Sequence, residues 1–122
     1  MRKTVSTTEA QEQAALFEWA ARSRVKYPAL DLLYHIPNGG SRNPIEARHL
    51  REQGVKAGVP DICLPVPSQH YTALYIELKR PDGGRVSDAQ RRWIAALNRV
   101  GCRAVVCHGW DAARVEIERY LR

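Results

Sequence analysis

The sequence predicts one α/β or α+β domain with a mixed central sheet flanked by helices. Three observations carry this. The chain has 122 residues, the size of a single domain around a single core. Its composition, 44% hydrophobic and 26% charged, is ordinary for a globular protein and excludes a disordered tail or a coiled-coil rod. Helical and strand patterns alternate in the order α-β-α-β-β-α-β-α, which layers helices on a sheet. No internal repeat, low-complexity tract or linker interrupts them, so 1–122 reads as one domain.

The first helix is expected from about Glu9 to Arg24, with N-caps offered by Ser6, Thr7 and Thr8. Either Ser6-x-x-Glu9 or Thr8-x-x-Gln11 forms a capping box. On helical periodicity Glu9, Gln13, Leu16 or Phe17, and Ala20 share one side, so Glu9 and Gln13 continue the buried stripe. After Pro28, Leu30 to Ile36 reads as a strand, ended by the turn chemistry of Pro37-Asn38-Gly39-Gly40-Ser41. Asn43-Pro44-Ile45-Glu46 combines an N-cap, a proline at the first helical position and a capping-box glutamate. It opens a helix of about ten residues that Gly54 stops. This short helix follows the first strand.

The glycines and proline of 54–60 suit a tight approach into a second strand, Asp61 to Val66. A polar loop leads into a third, Tyr71 to Lys79, where Leu74, Ile76 and Leu78 make a core face. Tyr75, Glu77 and Lys79 alternate with them and are expected to meet solvent or ligand. Past the turn Pro81-Asp82-Gly83-Gly84, Ser87 caps a helix to about Val100, terminated by Gly101. Arg103 to Cys107 is an apolar strand. Asp111 to Leu121 is a final amphipathic helix with Ala112, Val115 and Tyr120 or Leu121 as its apolar stripe.

Lys and Arg number 19 against 13 Asp and Glu, a net charge of +6. Between 79 and 103 stand Lys79, Arg80, Arg85, Arg91, Arg92, Arg99 and Arg103 against Asp82 and Asp88 alone. Such a local excess favours a polyanion, because each phosphate neutralised releases condensed counterions; a solvated helix face is the plainer explanation. No apolar run approaches the roughly 18 residues of a membrane span, and the start MRKTVSTTEAQEQ lacks the apolar stretch of a secretory leader, so the chain reads as cytosolic. Cys63, Cys102 and Cys107 include no C-x-x-C pair, and the four histidines show no H-x-x-x-H spacing. Neither a disulfide framework nor a zinc site is expected, and the cysteines read as small buried hydrophobes. If Cys102 and Cys107 share a strand, they point to opposite faces.

The informative constellation is Val59-Pro60-Asp61, followed sixteen residues after Asp61 by Glu77-Leu78-Lys79. Glu77 and Lys79, two apart on a strand, share a face. With the second and third strands as neighbours, Asp61 at the start of one approaches Glu77 near the end of the other. Two close carboxylates repel unless a cation lies between them, and oxygen ligands suit a hard cation such as Mg²⁺. Lys79 beside it is placed to position a water or to stabilise charge developing on a phosphate.

Pro60-Asp61 with Glu77-Leu78-Lys79 resembles the PD-(D/E)XK nuclease motif. Together with His35-Ile36-Pro37-Asn38-Gly39-Gly40, the run from Gly54 to Asp61, Tyr75-Ile76-Glu77-Leu78-Lys79 and Ser87-Asp88-Ala89-Gln90, the chain resembles the VRR-NUC family, the virus-type replication-repair nucleases, from Glu9 to Tyr120. The resemblance implies an αβββαβ nuclease core, with the Asn43–Gln53 helix as an insertion. It implies phosphodiester hydrolysis with Mg²⁺ or Mn²⁺ held by Asp61, Glu77 and the Leu78 carbonyl, with Lys79 as the catalytic lysine. A first-helix glutamate completes the family's acidic cluster; Glu9 is preferred and Glu12 competes. Gln90 resembles the helix glutamine placed at such sites, although Ser87-x-x-Gln90 is also a capping box. His35 and Asn38 are candidates to reach the phosphate, and Arg42, Lys56, Arg85, Arg91 and Arg92 to contact the DNA backbone. Trp93 reads as core more than as a base-stacking platform. The resemblance further suggests a stand-alone domain like those of bacteriophages and bacteria, a homodimer cutting branched DNA such as Holliday junctions. A monomeric flap or nonspecific nuclease and a non-catalytic DNA-binding module are the alternatives.

Overall fold

A computed structural model describes residues 7–37 and 43–122. The elements in chain order are α1 (Glu9–Arg22), a 3₁₀ turn (Pro28–Leu32), β1 (Tyr34–His35), α2 (Pro44–Glu52), β2 (Ile62–Leu64), β3 (Leu74–Lys79), α3 (Asp88–Arg99), β4 (Arg103–His108) and α4 (Trp110–Tyr120). The strands form one sheet in the order β1-β2-β3-β4. β1 and β2 pair antiparallel, as do β2 and β3, whereas β3 and β4 run parallel with α3 as the crossover. This is the expected mixed sheet with α2 inserted after the first strand.

Side-chain alternation in β3 sorts the helices to two faces. Leu74, Ile76 and Leu78 join a core with Leu16 and Trp19 of α1 and Ile117 and Tyr120 of α4. Burying each such side chain contributes about 1.5–3 kcal/mol. On the other face Glu77 and Lys79 lie under α3, whose Gln90 bonds both.

The helix termini follow their capping chemistry. Of the two capping boxes open to α1, Thr8 and Gln11 make one, with Gln11 N donating to Thr8 Oγ1 at 3.1 Å and Thr8 N to Gln11 Oε1 at 2.8 Å. Asn43 Oδ1 caps α2, accepting from Ile45 N at 2.9 Å. Ser87 and Gln90 box the start of α3.

Several expectations are corrected. The segment expected as a strand from Leu30 to Ile36 begins inside the 3₁₀ turn, leaving β1 two residues long. Pro28 presets the turn, and Leu30 and Leu33 are buried while Leu32 is exposed, a three-residue spacing that a strand does not give. β2 ends at Leu64, since Pro65 and Pro67 carry no N–H for the ladder. In α1 the buried stripe is Glu12, Leu16, Trp19 and Ala20, with Glu9 exposed. In α4 it is Ala113, Ile117 and Tyr120, with Ala112 exposed. Cys102 precedes β4 and is half-buried, while Cys63 and Cys107 are buried. Trp93 is half-buried and lies outside the core cluster. Among the described residues no helix is long and apolar enough to cross a membrane.

Candidate active site

The register sets the centre of the site. Ile62 pairs with Ile76 in the antiparallel β2–β3 ladder, so Asp61, one residue before β2, falls opposite Glu77. Asp61 Oδ2 accepts the Leu78 amide at 2.9 Å. The N–H and C=O of a strand residue point to the same edge, so the Leu78 carbonyl faces the Asp61 side, beyond the last paired residue of β2.

Two contacts hold Asp61 from behind. Its carbonyl accepts Ile36 N at 2.6 Å and meets His35 Nδ1 at 2.9 Å. On the approach to it, Gly58 has φ +89°, and a Cβ there would lie 2.6 Å from the Ala89 carbonyl carbon. Only glycine lets loop 54–60 press against the first turn of α3.

Glu77 and Lys79 are not solvent-facing, as the strand pattern suggested. They are 1% and 5% exposed. α3 covers them, and Gln90 is the connector: its Nε2 donates to Glu77 Oε2 at 3.2 Å, and its Oε1 accepts from Lys79 Nζ at 3.1 Å and Ser87 N at 2.8 Å. The capping and site roles of Gln90 therefore coexist in one side chain. Lys79 Nζ also lies 3.3 Å from Glu77 Oε2.

Glu77 Oε1 is buried and has no hydrogen-bond partner among the described residues. Burial, then the adjacent Asp61 carboxyl, pushes the Glu77 carboxyl up to about 8 against the opposing pull of the Lys79 ammonium. A buried, half-satisfied carboxylate beside a second carboxylate is a donor set that suits a hard divalent cation.

A cleft of about 300 Å³ reaches Asp61, lined by Glu9, Ala10 and Gln13 of α1 and by His35, Asp61 and Leu78, while Glu77 stays buried behind Asp61. Glu9 stands on its α1 wall. Among the described residues no three His, Cys, Asp or Glu side chains are grouped closely enough to hold a metal ion by themselves; the Leu78 carbonyl is the further oxygen that could join Asp61 and Glu77. Glu12 is turned away from the cleft. It is 7% exposed, and its Oε1 accepts Trp110 N at 2.9 Å, capping α4.

The basic candidates divide. Lys56, Arg85 and Arg92 are exposed and, among the described residues, in no ion pair, whereas Arg91 pairs with Asp88 at 3.0 Å. Asn38 and Arg42 lie outside the described residues. The tertiary role of Glu12 had no sequence signal, since its partner is 98 residues away.

A mixed sheet carrying a carboxylate pair and a lysine at one end of its central β2–β3 pair is a nuclease-type architecture. The chain belongs to the VRR-NUC family: the model of the VRR-NUC domain matches residues 7–111. A solved structure described as a VRR_NUC domain protein is similar over 97% of this chain and 91% of its own, with 30% identity and a TM-score of 0.84. No curated protein matches the chain.

Proposed function

We propose that this chain is a divalent-metal-dependent DNA endonuclease that hydrolyses phosphodiester bonds at the cleft between α1 and that end of the β2–β3 pair. The observation that carries the reading is the Asp61–Glu77 pair, opposed in register, with one buried oxygen unpartnered among the described residues. Asp61, Glu77 and the Leu78 carbonyl would hold Mg²⁺ or Mn²⁺, and Glu9 lines the facing α1 wall of the cleft. When bound, the cation supplies Lewis-acid stabilisation of the charge that develops on the scissile phosphate.

The chain's own groups do the rest. Lys79, steered by Glu77 and Gln90, orients the attacking water and offsets negative charge at phosphorus. Gln90 acts through Lys79 and Glu77. His35, whose Nδ1 donates to the Asp61 carbonyl, lines the cleft beside the phosphate position and fixes the Asp61 backbone there. Lys56, Arg85 and Arg92 are the backbone contacts, Arg91 a weaker one because Asp88 shares its charge; Asn38 and Arg42 keep the phosphate- and backbone-contact roles that the family resemblance implies.

We take the substrate to be branched DNA of the Holliday-junction type, cut by a homodimer whose two sites address opposed strands. The test is a cleavage panel of junction, flap, single-stranded and duplex DNA in Mg²⁺ and Mn²⁺, with light scattering on the same sample. Junction cutting by a dimer is expected, and Asp61→Ala or Glu77→Ala should lower the rate by at least about 100-fold while leaving DNA binding in EDTA within about twofold. Undiminished cutting by both variants overturns the site. Flap cutting by a monomer moves the substrate class, and binding without products from any DNA makes the chain a binding module.

A further inference from the structure

We propose that a second cleft, across the backbone wall from the catalytic one, is a subsite for a single unpaired nucleobase of the DNA substrate; this rests on the nuclease reading above. The cleft holds about 320 Å³ and its lining includes Ile36, Pro37, Val55, Lys56, Val59 and Trp93. That is the lower end of the roughly 300–1,000 Å³ of small-molecule pockets. Its chemistry is a half-buried indole among aliphatic walls, which suits the flat face of a heterocycle. Trp93 is half-buried and lies outside the main hydrophobic core, so part of its indole face is open to the cleft.

Charge selects a nucleotide over an apolar peptide or a second copy of the chain. Lys56 lies in the lining, and Arg92 precedes Trp93 on α3; both are exposed and, among the described residues, in no ion pair. They offer partners for the phosphates flanking an inserted base, and would repel their own images in a two-fold contact.

Position ties the cleft to the chemistry. His35 lines the acidic cleft and Ile36 the apolar one; Asp61 lines the first and Val59 the second. The wall between them is closed by the Ile36 N to Asp61 carbonyl bond, and Gly58 clamps it to α3 at Ala89. The two clefts thus share one wall, and in the proposed complex the phosphate lies at Asp61 and the base of the adjacent nucleotide against Trp93. A base stacked in a duplex has no free face to offer, so the subsite selects nucleotides at branches, gaps or ends.

The test is photocrosslinking of the full chain in EDTA to oligonucleotides carrying 5-iodouracil at an unpaired or a paired position. The expected adduct lies on the tryptic peptide 93–99, released by cleavage after Arg92, and is at least about fivefold stronger for the unpaired probe. Trp93→Leu, checked for folding by thermal denaturation, should cut the preference for an unpaired base over an abasic site about tenfold. Adducts confined to other peptides, or a preference untouched by Trp93→Leu, overturn the subsite and leave the nuclease reading standing. Protection of 93–99 from hydrogen exchange that rises with protein concentration, and not with DNA, assigns the cleft to a second copy and overturns it as well. Failure of every DNA form to bind overturns both readings.

Discussion

Glu77 carries two opposed demands: its strand neighbours and α3 bury it, and Asp61 places a second carboxyl beside it. In the metal-free protein its carboxyl is raised from the ordinary 4.5 to about 8, so the folded state holds a proton that the unfolded chain releases. The stabilisation from that proton is present in full below the unfolded value of 4.5 and is lost as pH climbs through about 8. In EDTA the Tm should be lower at pH 8.5 than at pH 5 by about 5 °C or more, and Glu77→Gln should flatten that slope. A Tm in EDTA independent of pH over this range would remove the burden assigned to Glu77. The residues of this site were legible because their chemistry constrains type and spacing together: an acid at a strand start, then Glu-x-Lys on the next strand. Their burial was not legible, since alternation in β3 states which side chains share a face and says nothing of what covers that face.

At the scale of elements, α1 separates two carboxylates that sequence alone leaves in competition. Glu9 faces the cleft, and Glu12 reaches α4, where it accepts the Trp110 amide next to Gly109. Gly109, the N-cap of α4, has no side chain to cap with, so Glu12 supplies from another helix what a Ser or Asp gives locally. Glu12→Ala should therefore destabilise the fold by about 1–3 kcal/mol, read as a lower urea midpoint. Glu9→Ala should leave that midpoint unchanged and reduce cleavage about tenfold. Interchanged outcomes would exchange the two roles. Helix ends with local caps, at Thr8, Asn43 and Ser87, could be read within a residue or two. The 3₁₀ turn at Pro28–Leu32 and the stripe of α4 could not, because packing chose among frames that the local pattern left nearly equivalent.

At the scale of the whole molecule, the net +6 and its crowding into 79–103 look different once folded. Lys79 is buried against Glu77, Arg91 pairs with Asp88, and Arg103 is bonded to Glu116. Arg80, Arg85, Arg92 and Arg99 remain exposed and, among the described residues, outside any ion pair. The sequence count overstates the charge presented to a polyanion, because it cannot distinguish a cation committed to a partner from one left to solvent. For phosphate contacts, log K falls with log salt by about 0.9 per phosphate neutralised on duplex DNA. Arg85→Ala and Arg92→Ala should each lower that slope by about one and weaken binding uniformly across sequences. Arg103→Ala should leave the slope unchanged, since its charge is held by Glu116, and should show itself in thermal stability instead. Binding measured against KCl from low to physiological salt tests this. Equal slope losses at Arg103 and Arg92 would mean that DNA draws Arg103 away from Glu116, and the interface would then extend around β4 rather than stop at α3.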